Sequence, residues 1–137
     1  MARLIETSLW IDFTRSRTPG ARKTEIRRWI LDPDAALCEP VAFEVLRHAT
    51  VKERPLIEAQ FASLPLLPTP ATLWRDAARL GQACRDQGFT AGSVDLLIAA
   101  LALHHHAELI TSDQDFRAIA KASKLQVTLL SKPAMDG

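Results

Sequence analysis

The sequence predicts a single α/β domain spanning residues 1–137, built on a short and mostly parallel central sheet. Three observations carry that expectation. Short apolar runs alternate along the chain with stretches of helical periodicity, the pattern of strands joined by helices rather than by hairpins. Pro and Gly punctuate this series, and no internal repeat interrupts it. A length of 137 residues, 47% of them hydrophobic, supports one core without room for a second. With helices between them, the strands should run parallel, joined by right-handed crossovers.

Residues 3–6 read as the first strand, after which Thr7 or Ser8 caps a helix carrying Leu9, Trp10 and Phe13. Thr18, Pro19 and Gly20 end that helix. A second helix covers residues 23–30 and a short strand residues 35–38. A third helix starts near Pro40, which suits a first helical position, with Ala42, Val45, Leu46 and Ala49 as its apolar stripe. Pro55 opens a fourth helix to about residue 63, and residues 64–67, flanked by prolines, read as a short edge segment. Thr69 and Pro70 form a cap and first-turn pair for a helix with Leu73, Trp74, Ala77, Leu80 and Cys84 on one face, stopped by Gly88. Ser93 caps the next helix, whose middle, LLIAALAL, is apolar on every side and so belongs at the centre. A strand at 108–111, a short helix at 115–122 and a last strand at 126–130 complete the series.

Seventeen Lys and Arg against sixteen Asp and Glu leave a formal charge of +1, which excludes the strongly basic signature of a duplex-coating protein. A lone cysteine pair, Cys38 and Cys84, reads as two reduced core thiols. The opening MARLIETSLWIDF has too short an apolar run and too early an acid for a signal peptide, and no stretch approaches a membrane span. A cytoplasmic protein without membrane contact is the expectation.

In an open parallel sheet, ligands bind at the carboxyl ends of the strands, so the acids there carry the most information. Glu6 ends the first strand, Asp113 follows the strand containing Leu109 and Ile110, and Asp115 lies two residues later. Asp95 falls in the first turn of the most apolar helix, and Glu44 flanks the stripe of the third. Each has a structural alternative: Asp95 complements its helix dipole, Asp113 or Asp115 caps the following helix, and Glu44 is solvated. Taken together they describe a cluster. Mutually repelling carboxylates in one cleft require cations, and all-oxygen ligation favours hard ions such as Mg²⁺ or Mn²⁺.

Four segments, LIETSLWIDF, EPVAFEVLRH, LPLLPTPATLWRDAARL and SVDLLIAALALHHHAELITSDQDF, resemble the PIN-domain ribonucleases, specifically the VapC-type toxins of bacterial toxin–antitoxin pairs. The resemblance covers nearly the whole chain and is most specific in the last segment. It implies a PIN-like three-layer α/β/α fold and a four-acid catalytic site of Glu6, Glu44, Asp95 and Asp113. Metal ligation would fall to Glu6, Asp95 and Asp113, with Asp115 an extra or alternative ligand. The implied activity is Mg²⁺- or Mn²⁺-dependent hydrolysis of RNA phosphodiesters, with tRNA or rRNA loops as expected substrates. The implied partners are a VapB-type antitoxin, a second copy in a homodimer and a larger toxin–antitoxin assembly, with DNA contacted only through the antitoxin.

The chain departs from the family at one position, where Glu6 stands in place of the usual Asp. The extra methylene displaces the carboxylate by roughly one bond, and misplacing reacting groups by about 1 Å can cost on the order of a hundredfold in rate. A second reading is therefore a PIN-like module that binds RNA or antitoxin without cleaving. A third, a metal-dependent phosphatase on another acidic α/β fold, lacks the expected Asp-x-Asp loop after the first strand.

Residues 15–28 hold Arg15, Arg17, Arg22, Lys23, Arg27 and Arg28 against Glu25 alone. Arg15, Arg17, Arg22 and Lys23 are the candidate phosphate contacts, with a solvated helix face as the alternative. Single-stranded or looped RNA is the expected substrate, because an A-form duplex presents little sequence to side chains. His104, His105 and His106 are consecutive on a helix, point apart and read as a polar helix end. Trp10 and Trp74 match apolar stripes as core or dimer surface, which leaves Trp29 as the candidate for base stacking.

Overall fold

Four strands, β1 (Arg3–Ile5), β2 (Ala35–Ala36), β3 (Glu108–Thr111) and β4 (Gln126–Leu129), form one all-parallel sheet in the order β2-β1-β3-β4 in the computed structural model, which describes residues 1–132. The register sets Leu4 between Ala36 and Leu109, and Ile5 opposite Ile110. Leu4, Ile5, Leu109 and Ile110 are fully buried, as expected for central strands covered on both faces. Each such side chain contributes about 1.5 to 3 kcal/mol on burial, so the two strands that carry most of the acidic rim are also the best anchored.

Among the described residues, seven helices complete the three-layer α/β/α domain: α1 (Thr7–Thr14), α2 (Gly20–Ile30), α3 (Glu39–His48), α4 (Arg54–Ala62), α5 (Leu73–Asp86), α6 (Ser93–His104) and α7 (Asp115–Lys121). The strand predicted at 108–111 is found at those bounds, and α4, α7 and β4 lie within one residue of expectation. The apolar middle of α6 is central, with Ile98, Ala99, Ala100, Leu101 and Ala102 buried. Gly88 takes a φ of +82° and ends the turn after α5, a conformation that L side chains rarely adopt.

Several caps differ from expectation. Glu6, not Thr7 or Ser8, is the N-cap of α1: its backbone is extended (φ −82°, ψ 159°) and its side chain accepts a hydrogen bond from the Ser8 backbone N–H. Gly92 rather than Ser93 precedes α6, and Thr72 rather than Thr69 precedes α5. The Thr69 hydroxyl instead donates to Glu39 at 2.6 Å. Helix α2 begins three residues earlier than predicted, with Pro19 as N-cap, because a proline with its φ near −56° can lead directly into a helix.

Strand β2 is two residues rather than four, since Leu37 turns to the segment the sequence placed at the edge. The Leu37 N–H donates to the Pro65 carbonyl at 2.9 Å, and the Leu67 N–H donates to the Leu37 carbonyl at 2.8 Å. On α3 the buried positions are Val41 and Val45, with Ala42, Leu46 and Ala49 half-buried. On α5 the buried stripe is Leu73, Ala77, Leu80 and Cys84, whereas Trp74 is 75% exposed and belongs to the surface. Trp10 is fully buried, edge-on to Phe61 at 4.9 Å between ring centroids. Helices α5 and α6 approach closely at Gly81, where a Cβ would meet Leu96 Cδ1 at 3.0 Å. Cys38 and Cys84 are both free and buried. Burial pushes the Cys38 thiol up to about 12.

Candidate active site

The parallel sheet delivers the ends of β1 and β3 to one rim of the domain, and the helix starts that follow bring the acids to it. Asp113 sits in the turn between β3 and α7, Asp115 is the first residue of α7, and Asp95 lies in the first turn of α6. One carboxylate oxygen from each of Asp95, Asp113 and Asp115 lies within 4.8 Å of the others. Burial pushes the Asp95 carboxyl up to about 7, with Asp113, Glu6, Glu44 and Asp115 adding to the shift in that order. The same electrostatic neighbourhood therefore contains all five acids read from the sequence, while only three of them reach the 4.8 Å set.

Glu6 and Glu44 stand beside that set, each held by hydroxyls. Glu6 is 3% exposed, and its Oε1 accepts from the Ser8 N–H at 3.1 Å, the Ser8 hydroxyl at 2.5 Å and the Thr111 hydroxyl at 2.6 Å. Burial raises the Glu6 carboxyl above its ordinary value against the opposing effect of these donors. Glu44 accepts from the Thr7 hydroxyl at 2.6 Å. Thr7 and Ser8 were legible as helix caps, but the hydroxyls of Thr7, Ser8 and Thr111 here hold carboxylates.

Two further bonds extend the network into the β3–α7 turn. The Asp113 N–H donates to Thr111 Oγ1 at 3.0 Å, and the Asp115 N–H donates to Asp113 Oδ1 at 2.9 Å. Ser112, which the sequence did not single out, donates through both its N–H (3.2 Å) and its hydroxyl (3.1 Å) to Ser8 Oγ. The available signal was a Ser and a Thr within two residues of Asp113 and another Ser two after Glu6.

Among the described residues, none of the five acids pairs with a Lys, Arg or His within 4.0 Å. The opposite rim is different, because Arg3 pairs there with Asp32 at 2.7 Å and Glu108 at 3.3 Å. An unbalanced, all-oxygen set drawn from three separate positions suits a hard divalent cation.

The basic segment divides. Arg15 and Arg17 are exposed just beyond α1, whose eight residues carry the chain roughly 12 Å from Thr7. Lys23 is half-buried and lines a cleft of about 230 Å³ with Phe13, Glu53, Leu56 and Ile57, a cleft that contains none of the five acids. Arg22 is corrected: it is 4% exposed, donates to the Ser131 carbonyl at 2.7 Å, and pairs with Asp12 at 3.4 Å and Glu25 at 3.6 Å. A guanidinium so enclosed ties α2 to α1 and to the end of β4 and is not a free phosphate contact. Trp29 is half-buried beside β4, lining a cleft with Arg28, Asp32 and Leu129. His104 ends α6, and His105 meets the Pro68 carbonyl at 2.7 Å.

Comparison with known proteins agrees with this architecture. The family profile of the PIN domain matches residues 3–122. The chain is 37% identical over 128 residues to a VapC ribonuclease of Mycobacterium bovis and to ribonuclease VapC11 of Mycobacterium tuberculosis, covering 90% of this chain and 95% of each relative. Among solved structures, the fold is shared with a chain of VapBC2 from Rickettsia felis bound to a promoter DNA fragment (TM-score 0.76, 16% identity, 96% of this chain and 100% of that one). A chain of a toxin–antitoxin complex from Klebsiella pneumoniae shares it too (TM-score 0.72, 19% identity, 96% and 100%).

Proposed function

The chain belongs to the PIN-domain family as a VapC-type ribonuclease of a toxin–antitoxin pair, and from that premise we propose that it is an Mg²⁺- or Mn²⁺-dependent endoribonuclease acting on single-stranded or looped RNA. The observation that supports this most directly is the convergence of Asp95, Asp113 and Asp115 to within 4.8 Å without a basic partner among the described residues. A divalent ion held there would lower the pKa of a bound water and stabilise charge on the phosphate.

The remaining steps fall to the chain itself. Asp95, Asp113 and Asp115 supply the oxygen ligands, Glu44 and Glu6 add negative charge beside them, and Thr7, Ser8 and Thr111 fix those two carboxylates. No nucleophilic side chain is required. Single-stranded or looped RNA, such as tRNA or rRNA loops, is the assigned substrate, because an A-form duplex presents little sequence to side chains. Arg15, Arg17 and Lys23 are assigned to phosphate contact. We extend the reading to a VapB-type antitoxin that covers the acidic rim, a homodimer, a larger assembly that meets DNA through the antitoxin, and residence in the cytoplasm.

The test is cleavage of total tRNA with Mn²⁺, with EDTA and with Asp95→Asn. Products that require Mn²⁺ and disappear in the variant support the assignment, whereas cleavage surviving in Asp95→Asn overturns it. A second reading, binding without cleavage, is favoured by the position of Glu6 outside the 4.8 Å set. Under it, wild type is inactive and Glu6→Asp gains Mn²⁺-dependent cleavage; an active wild type removes it.

A further inference from the structure

We propose that Glu6 is a positioning residue, which aims two hydroxyls at the β3–α7 turn and so sets Asp113 and Asp115, rather than a metal ligand. The inference rests on the metal-binding reading above and specifies how that site is held.

A hydroxyl has one proton to give. Ser8 Oγ and Thr111 Oγ1 both direct theirs to Glu6 Oε1, at 2.5 and 2.6 Å. Their lone pairs are thereby turned outward, and each accepts a backbone N–H from the turn: Ser112 at 3.2 Å on Ser8 and Asp113 at 3.0 Å on Thr111. Asp113 in turn accepts the Asp115 N–H through Oδ1 at 2.9 Å. Two consecutive amides of the turn are therefore held by hydroxyls whose direction is decided by one buried acceptor. Remove the acceptor, and either hydroxyl is free to rotate its proton toward the amide it should be receiving.

Its place in the structure also sets Glu6 apart from the three converging acids. Glu6 is 3% exposed and folds back as the N-cap of α1, with three donors on a single oxygen. It lies outside the three-carboxylate set, whereas Asp115 lies inside it. The longer side chain at this position thus places its carboxylate where it can direct Thr111 and Ser8, and Asp115 takes a ligand position. A helix-capping role alone accounts for the Ser8 N–H bond, but not for the donors that link Glu6 to residues 112 and 113.

Mn²⁺ affinity, measured by calorimetry and by electron paramagnetic resonance of free Mn²⁺, separates these roles. Gln at position 6 keeps the accepting oxygen, so Glu6→Gln should bind Mn²⁺ within about tenfold of wild type. Glu6→Met and Thr111→Val remove the relay and should weaken binding by about 10- to 100-fold. Thr111→Ser should restore it, and amide exchange at Asp113 in the metal-free protein should quicken only in the relay-breaking variants. Asp95→Asn, which loses a ligand, should bind more weakly than all of them. If Glu6→Gln loses as much affinity as Asp95→Asn, Glu6 is a ligand and the inference is overturned, with the metal site intact. Unchanged binding in Thr111→Val overturns the relay. A wild-type protein that does not bind Mn²⁺ overturns both the metal reading and this inference. Glu6→Gln is isosteric and carries the ligand test even where Glu6→Met fails to fold.

Discussion

Replacing Asp95 by Asn should make the metal-free protein more stable at neutral and alkaline pH while removing its metal site. The carboxyl titrates near 7 in the folded protein instead of 3.8, chiefly because it is buried and secondarily because four acids surround it. Between these values the folded chain holds a proton that the unfolded chain has released, so stability falls as pH rises from about 4 to about 7. Above 7 both states are ionised and the full penalty is present. At about 1.4 kcal/mol per pH unit the ceiling is about 4 kcal/mol, and partial exposure of Asp95 to water reduces the expected figure to about 1 to 2 kcal/mol. Asn carries no charge and escapes the penalty. In EDTA, Asp95→Asn should therefore melt about 3 to 8 °C above wild type at pH 8 by calorimetry, with a smaller gain at pH 5. Mn²⁺ should raise the Tm of wild type at pH 8 and leave the variant unmoved. A variant less stable than wild type at pH 8, or a gain equal at both pH values, would refute the account of Asp95 as a charge forced into a repelling cluster.

Other substitutions should follow from burial. Arg22→Ala, which leaves Asp12 and the Ser131 carbonyl without their partner, should lower the urea-unfolding free energy by about 3 to 5 kcal/mol yet leave the salt dependence of RNA binding unchanged. Arg15→Glu and Arg17→Glu should do the reverse, reducing the slope of log affinity against log salt by about 0.7 for each lost contact to single-stranded RNA. Trp10→Ala should cost about 3 to 5 kcal/mol, because the indole is fully enclosed against Phe61, whereas Trp74→Ala should change stability by less than about 0.5 kcal/mol. Maleimide should label Cys38 and Cys84 only on unfolding, at a rate set by denaturant rather than by reagent.

What the sequence revealed depended on the range of the forces involved. The strand at 108–111, the stop at Gly88 and the central position of α6 follow from local patterns of apolar residues and glycine, and the structure has them where expected. Caps were less legible. Thr7, Ser8, Thr69 and Ser93 all have cap chemistry, but the residue that takes the extended backbone before α1 is Glu6, and Thr111 is directed to it by a contact between residues 105 apart. No local rule contains that contact. Trp74 misled for a geometric reason: it lies one residue, about 100°, around α5 from Leu73, and the stripe continuing through Ala77, Leu80 and Cys84 turns it outward. Arg22 was hidden in a run of exposed bases because its burial arises from partners outside that run, Asp12 ten residues before it and Ser131 more than a hundred after it. The five acids were named from sequence, but the difference between the three that converge and the two held by hydroxyls is a matter of ångströms that spacing does not encode.

The sheet order puts β1, at the very start of the chain, beside β3, more than a hundred residues later. As a nuclease is made on the ribosome, Glu6 emerges early and waits, without its cage, until Thr111 and the acids that follow it have been synthesised. At about 5 to 20 residues per second that interval is roughly 5 to 20 s. During it the nascent chain holds Glu6 and Glu44 but not the β3–α7 turn, and so has no assembled acidic rim beside the RNA-rich machine that is producing it. A strand order with the acids on neighbouring early segments would have no such delay. Because β3 lies so far from β1 in sequence, the acidic rim can assemble only once the β3–α7 turn has been made.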